Sequence, residues 1–326
     1  MTGAYIDKDF VFQVARIRGL ENSLLTKENF IEMSHLKNKD AVLAFLKEKN
    51  IGNESDKSIE AILFSERKNL WDLIDELVPD KEIFKVFRMR NDYHNIKACI
   101  KENLLGTEVN NLYIDDAIID VDLIKESIKN NNFNLLPDDM ANGLKEIIEL
   151  FLKTKDSQTL DVMLDKLSLD AMYKEGKNSE FDFIKDYVET YVNVSDIKIA
   201  VRASQMKKPR DFFDKALADC DNLQISKLAD AASSSIDELC SYLEVTDYQE
   251  ATAAIRKSNT EFEKWCDDII ISKIQNMKYE SFGIGPICAY IIAKENEIKM
   301  INIIYTCINN GFSEETILER MRATYV

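Results

Sequence analysis

Apolar residues recur at helical spacing almost everywhere along this chain, beginning with Phe10, Val14, Ile17, Leu20 and Leu24, and no stretch alternates convincingly at period two. A chain patterned this way must satisfy its backbone within helices, because it has no alternating faces with which to build a sheet. Nine glycines and four prolines in 326 residues reinforce the point. The two types together usually make up about 12% of a chain, so tight turns are few here. Oxygen acceptors precede acidic or amide-rich first turns at Thr26, Ser55, Ser58, Ser179, Thr260 and Ser313, where they would accept from amides that lack intrahelical partners. Gly52, Gly106, Gly176 and Gly311 read as stops, and Pro137 and Pro209 as openings. Gly283 to Pro286 reads as a turn into the last long helix, with Pro286 in its first turn. These signals cut the chain into roughly fifteen helices, and the class is all-α.

An acid or amide followed by Ile-Lys occurs three times: Asn95-Ile96-Lys97, Asp196-Ile197-Lys198 and Glu297-Ile298-Lys299. The lysines are 101 residues apart in both intervals. Each copy lies deep inside a long expected helix, over 80–104, 179–206 and 285–310, with an aromatic upstream (Phe87, Tyr191, Tyr290) and a breaker downstream (Gly106, Pro209, Gly311). Short amphipathic helices follow the second and third breakers, over 210–217 and 313–322. The pattern implies three related helical units of about 100 residues, with approximate bounds 1–106, 107–217 and 218–326. Such units can stack in a line or close around an axis, and spacing alone does not choose.

Charge and composition remove several functions. Forty-two Lys and Arg against 58 Asp and Glu give a formal charge of −16, which repels phosphate backbones and anionic lipid, so nucleic acid is not an expected partner. Six cysteines, at 99, 220, 240, 266, 288 and 307, form no Cys-x-x-Cys pair and have no neighbouring histidine; they read as reduced, buried thiols of a cytosolic protein, without metal. Asp7 and Asp9 do not fit a signal peptide, and the apolar stretch 283–308 is interrupted by Lys294, Glu295, Glu297 and Lys299, so no transmembrane segment is expected.

The reactive inventory is poor. Only two histidines are present: His35, in a polar connector, reads as solvated, and His94 as a structural or interface hydrogen-bonding group. No Gly-rich phosphate loop, His-Glu-x-x-His pair or Gly-x-Ser-x-Gly elbow occurs, so neither a cofactor nor direct nucleotide binding is expected. Asp115, Asp116 and Asp120 are spaced one residue too widely for the Asp-Asp-x-x-Asp pattern that binds Mg²⁺-diphosphate, and no Arg or Lys cluster stands nearby. More informative is the polar centre of each long helix. Arg88 to Lys97 gives up apolar burial over nearly three turns, and the same occurs over 193–198 and 294–299. Recurrence favours polar stripes that line a common cavity or interface over a merely solvated face.

Four stretches carry a likeness to a known family: Val14-Ala15-Arg16-Ile17-Arg18-Gly19-Leu20-Glu21; Arg90 to Lys101 with Asp92-Tyr93-His94-Asn95-Ile96-Lys97; Tyr187 to Arg202; and the C-terminal run from Tyr290-Ile291-Ile292-Ala293-Lys294-Glu295-Asn296-Glu297-Ile298-Lys299 to Leu318-Glu319-Arg320-Met321-Arg322. The chain resembles, over essentially its whole length, the C subunit of the prokaryotic V-type (A-type) ATPase/ATP synthase, a family related to the d subunit of the eukaryotic vacuolar enzyme. The resemblance implies an all-helical, pseudo-threefold funnel of three related units, without catalytic activity. It implies a central-stalk rotor adaptor on the cytoplasmic face of the membrane, peripheral to it, resting on the proteolipid ring and receiving the shaft built from the D and F subunits for ATP-linked ion transport, including hydrogen ion transport. On that basis the three stripes face the axis, with shaft contacts expected among Arg90, Asp92, His94, Asn95, Lys97, Asn193, Asp196, Lys198, Arg202, Glu295, Glu297 and Lys299.

Two other classes fit parts of the pattern. A helical-repeat scaffold that binds peptides in a groove explains the acidity and the repeats, and a linear superhelix would favour it. A Mg²⁺-dependent diphosphate enzyme would require Asp115, Asp116 and Asp120 to face a cavity with partner carboxylates.

Overall fold

The structure, a computed structural model, describes residues 10–105 and 113–326, with the backbone alone at 104 and 105. Asp7, Asp9, Gly106 and the expected unit boundary after Gly106 lie outside the described residues. Regular structure among the described residues is entirely helical. In chain order the helices are α1 (Val11–Glu21), α2 (Lys27–Ser34), α3 (Lys39–Glu48), α4 (Ile59–Leu77), α5 (Lys85–Leu105), α6 (Val121–Lys129), α7 (Asp138–Thr154), α8 (Ser157–Lys177), α9 (Asp182–Gln205), α10 (Arg210–Ala216), α11 (Ile225–Ser234), α12 (Ile236–Leu243), α13 (Glu250–Lys257), α14 (Asn259–Ile274), α15 (Gly285–Asn309) and α16 (Glu314–Arg320). Short 3-10 turns cover Lys81–Phe84 and Gln275–Tyr279.

The chain forms two compact units, one from the stretch up to Lys81 together with Ala253–Val326, the other Glu82–Thr252. In the first unit α15 is the central helix, packed against α1, α2, α3, α4, α14 and α16. Its apolar face (Met300, Ile301, Ile304) meets Phe30, Met33, Val42, Leu46, Ile59 and Ile62, all essentially sealed from water. In the second unit α8 packs against α5, α7, α9 and α10. Ile96, Cys99 and Ile100 of α5 there meet Ile124, Phe133, Leu144, Ile148 and Leu164. Burial of such side chains contributes about 1.5–3 kcal/mol each and decides which face of each helix turns inward.

Helix ends follow local chemistry. Thr26 and Asn29 form a reciprocal capping box, and Ser58 and Ser313 accept from Ala61 and Thr316 as expected. Two expected starts move. Helix α14 is capped by Ser258, which accepts from Glu261, and not by Thr260; Ser179 accepts from the Phe181 amide ahead of α9 and does not cap it. Gly311 after α15 and Asn50 after α3 adopt φ of 70° and 59°, the left-handed conformation that ends a helix, while Gly52, expected as the stop, lies two residues beyond Asn50 at φ 82°. Gly176 is no stop: it lies within α8, and a Cβ there would stand 2.6 Å from Val188 of α9. The residue is glycine because two helices approach too closely for a methyl group.

Candidate functional site

The polar centre of α5 has two faces. At about 100° per residue, Arg90, Tyr93, His94 and Lys97 share one side, and Asn91, Asp92 and Asn95 the other. The second side is buried and grips the segment returning after the helix. Asp92 Oδ1 accepts from the Ile118 and Ile119 amides at 2.8 and 2.9 Å. Asn95 Nδ2 donates to the Ile114 carbonyl at 2.9 Å while its Oδ1 accepts from the Ile114 amide at 2.8 Å. Asn91 Nδ2 donates to the Asp116 carbonyl at 2.9 Å.

The same division recurs on α9. Tyr191, Ser195, Lys198 and Arg202 share one face, while Asn193 and Asp196 point into the protein. Asp196 Oδ1 accepts from the Ala218 amide at 3.0 Å, and Asn193 Nδ2 donates to Tyr248 Oη at 2.9 Å and Glu189 Oε1 at 3.2 Å. Glu189 Oε1 also receives the Asp221 and Asn222 amides. Burial pushes the Asp92 carboxyl up to about 6, only partly opposed by its two amide donors, and raises Asp196 well above the usual carboxylate range.

On α15 the corresponding positions, five and two before the repeated lysine, are Lys294 and Glu297, and both are again buried. Lys294 Nζ lies 2.5 Å from both Glu66 and Glu297. Burial opposes its charge, but the two carboxylates outweigh that and raise its pKa. Glu66 accepts from the Gly52 amide and Glu297 from the Leu25 amide, so the triad fastens two loops to α15. One position earlier than Glu297, Asn296 donates to the Ala323 carbonyl at 3.0 Å.

The twelve residues among which shaft contacts are expected divide by their surroundings. Asp92, Asn95, Asn193, Asp196 and Glu297 are buried latches on backbone or neighbouring side chains, because helical geometry turns them away from the lysine-bearing face. Glu295 pairs with Arg67 at 3.2 Å, and Lys299 with Asp267 at 2.6 Å, where Arg322 joins at 2.8 Å. The other five, Arg90, His94, Lys97, Lys198 and Arg202, line one groove.

That groove is open, has a cavity volume of about 370 Å³, and lies between α5, α8 and α9. Helix α8 supplies Asp165, Ser168, Leu169 and Met172, again one face at i, i+3, i+4 and i+7. Lys97 stands 2.9 Å from Asp165 and 3.6 Å from Asp161. Its floor includes Tyr93, Leu169, Met172, Tyr191 and Ile199. The α8 contribution was not foreseen, although Asp161 and Asp165, four residues apart, offered a signal once α8 was known to neighbour α5.

The remaining candidates find ordinary roles. His35 Nδ1 lies 3.1 Å from Glu314. Asp120 caps α6 by accepting from Asp122 and Leu123, the cap one turn later than Asp115 and Asp116. All six cysteines are free thiols, five of them buried and Cys220 half-buried. No helix among the described residues is long and apolar enough to cross a membrane.

The class these features define is an all-α protein in which three long helices, α5, α9 and α15, repeat one arrangement of buried polar latches. Over residues 13–320 the chain matches the model of the ATP synthase (C/AC39) subunit family, and it belongs to that family. It is 25% identical over 317 residues to the C subunit of the V-type sodium ATPase of Enterococcus hirae, covering 95% of this chain and 97% of that one. It is 26% identical over 333 residues to the C subunit of the A-type ATP synthase of Methanocaldococcus jannaschii, covering 90% of this chain and 82% of that one.

Proposed function

We propose that this chain is the non-catalytic central-stalk adaptor of a V/A-type rotary ATPase or ATP synthase. It joins the D–F shaft to the membrane proteolipid ring at the cytoplasmic face, without binding nucleotide itself. The observation that carries this reading is the end-to-end family match, with the C subunit of a V-type sodium ATPase aligned over 97% of its own length.

Physical chemistry supports it. A coupler must pass torque without yielding, since an ion crossing a membrane releases roughly 2.3 kcal/mol per charge per 100 mV and slip would dissipate that. Long helices fastened mid-length to neighbouring segments by buried hydrogen bonds resist such yielding. A formal charge of −16 favours attachment through protein instead of anionic lipid. The proposal includes three related units, 1–106, 107–217 and 218–326. Supporting this division, the buried pairs Asp92/Asn95, Asn193/Asp196 and Lys294/Glu297 stand at identical offsets from the three lysines.

Reconstitution tests the reading. Complex assembled without this chain should hydrolyse ATP but pump no ions, and adding the chain should restore pumping. Unchanged pumping in its absence would refute the adaptor role.

A further inference from the structure

We infer that Asp196 holds a proton in the folded protein at neutral pH, and that losing this proton loosens the clasp by which α8 and α9 hold the segment 217–222. Lys166 Nζ donates to the Leu217 carbonyl at 2.5 Å, and Asp196 accepts from the Ala218 amide at 3.0 Å. Asp170 accepts from the Asp219 amide at 3.2 Å, and Glu189 from the Asp221 and Asn222 amides at 3.1 and 2.9 Å. Three carboxyl groups thus grip neighbouring amides of one segment, whose own Asp219 and Asp221 add negative charge. Among the described residues, the cations paired with these acids are Lys166, 3.3 Å from Asp170, and Lys177, 2.6 Å from Asp221.

Asp196 is where this charge balance fails. Its side chain is fully buried, and among the described residues no cation pairs with it. Oδ1 has a single amide donor, while Oδ2 is sealed from water and has no hydrogen-bond partner. A charged oxygen there would forfeit its hydration with nothing in return, whereas a protonated Oδ2 has only a neutral hydroxyl to bury. Asn193 Oδ1, one turn earlier on the same face, is a second buried oxygen without a donor, so this face is short of protons. At the equivalent position of α15, Glu297 has Lys294 at 2.5 Å, and a cation does there what a proton does here. The groups around Asp196 act in the same sense. Burial raises its carboxyl well above the usual range; Lys166 on α8 opposes this, while Asp170 on α8 and Asp219 on the segment add to it. The Cys220 thiol, facing Asp196 and Glu189, is pushed up to about 12 by burial and by those acids, and stays neutral. Of the other helices packed on α9, α10 turns Asp211, Asp214 and Lys215 outward, α11 Lys227 and Asp230, and α12 Asp237 and Glu238, while Arg210 is paired with Asp214 and Asp230.

Hydrogen exchange of the full chain, followed from about pH 5 to about pH 9 and corrected for the intrinsic pH dependence of exchange, reads the opening of 217–222. Because the folded state is the better proton binder, protection should be complete at low pH and fall as pH rises, by up to about tenfold per pH unit, the slope of one proton. Asp196→Asn keeps an acceptor for the Ala218 amide and has no proton to lose, so its protection should stay within about twofold across the range. Asp170→Asn removes a negative neighbour and should move the fall to lower pH without abolishing it. A merely structural role would lower protection equally at every pH. Should Asp196→Asn fail to fold by circular dichroism, Asp170→Asn decides instead, and a fall that is unmoved or abolished overturns the inference. Wild-type protection that stays within about twofold from low to high pH, or a fall that persists in Asp196→Asn, also overturns it. Millimolar Ca²⁺ or Mg²⁺ that raises protection about tenfold at high pH overturns it in favour of a bound metal ion. None of these outcomes bears on the adaptor reading.

Discussion

The side-chain amide of Asn95 closes on the Ile114 peptide from both ends, donating to its carbonyl at 2.9 Å and accepting from its amide at 2.8 Å. Asn95 is fully buried and Ile114 half-buried, so loss of the side chain removes the partner of both peptide groups and leaves them only partial access to water. Asn95→Ala should therefore destabilise the protein by about 2–4 kcal/mol, more than a surface asparagine would. Urea unfolding read alongside hydrogen exchange at the Ile114 amide checks this. Unchanged protection there would show that the latch does not hold the segment.

Asp92 gives a pH signature. With its folded pKa raised to about 6, it binds a proton more readily in the folded state than unfolded. Its stabilising contribution is complete below about pH 4 and is lost as pH rises through about 6. Asn keeps an oxygen acceptor for Ile118 and Ile119 without a charge to bury, so Asp92→Asn should gain ~1–3 kcal/mol at pH 8 and nothing near pH 4. Denaturant midpoints across that range measure it, and an equal gain at both ends would contradict the assignment.

The Lys294, Glu66 and Glu297 triad should behave as a unit. Lys294→Met leaves two buried carboxylates facing each other and should cost about 3–5 kcal/mol. Adding Glu66→Gln and Glu297→Gln removes both charges yet keeps acceptors for the Gly52 and Leu25 amides, and should recover most of the loss. Thermal melts of the single and triple variants decide between coupling and simple additivity.

Gly176 reverses a familiar rule. Glycine to alanine within a helix ordinarily gains about 1 kcal/mol, but here the new methyl meets Val188 at 2.6 Å. Gly176→Ala should lose about 1–3 kcal/mol, and Val188→Ala in the same chain should relieve the clash. A double-mutant cycle with no coupling would place the close approach elsewhere.

Helix class and most helix bounds were legible because a 3.6-residue rhythm of apolar residues survives any detail of packing. Caps were legible at Thr26, Ser58 and Ser313 and missed at Ser258, since Ser258 and Thr260 both offer an oxygen and only the path of the chain chooses. The repeated lysine falls within three long helices as expected, but in the sequence the buried residues two and five positions before it read as part of the same polar stripe. What the pattern hid was direction. When both faces of a helix are polar, one toward a groove and one toward an inner latch, hydropathy has no contrast to report, and so Asp92 and His94 read as one stripe. Gly176 was hidden for a related reason: a glycine that admits a neighbour and one that ends a helix are the same letter.

The meeting of Gly176 with Val188 leaves no clearance between α8 and α9 at that point. Sliding either helix by one residue, about 1.5 Å, would drive the valine from its notch into a side-chain-bearing position. The pair therefore behaves like meshed teeth without backlash, and any twist applied to α9 reaches α8 as elastic strain before a single contact is exchanged.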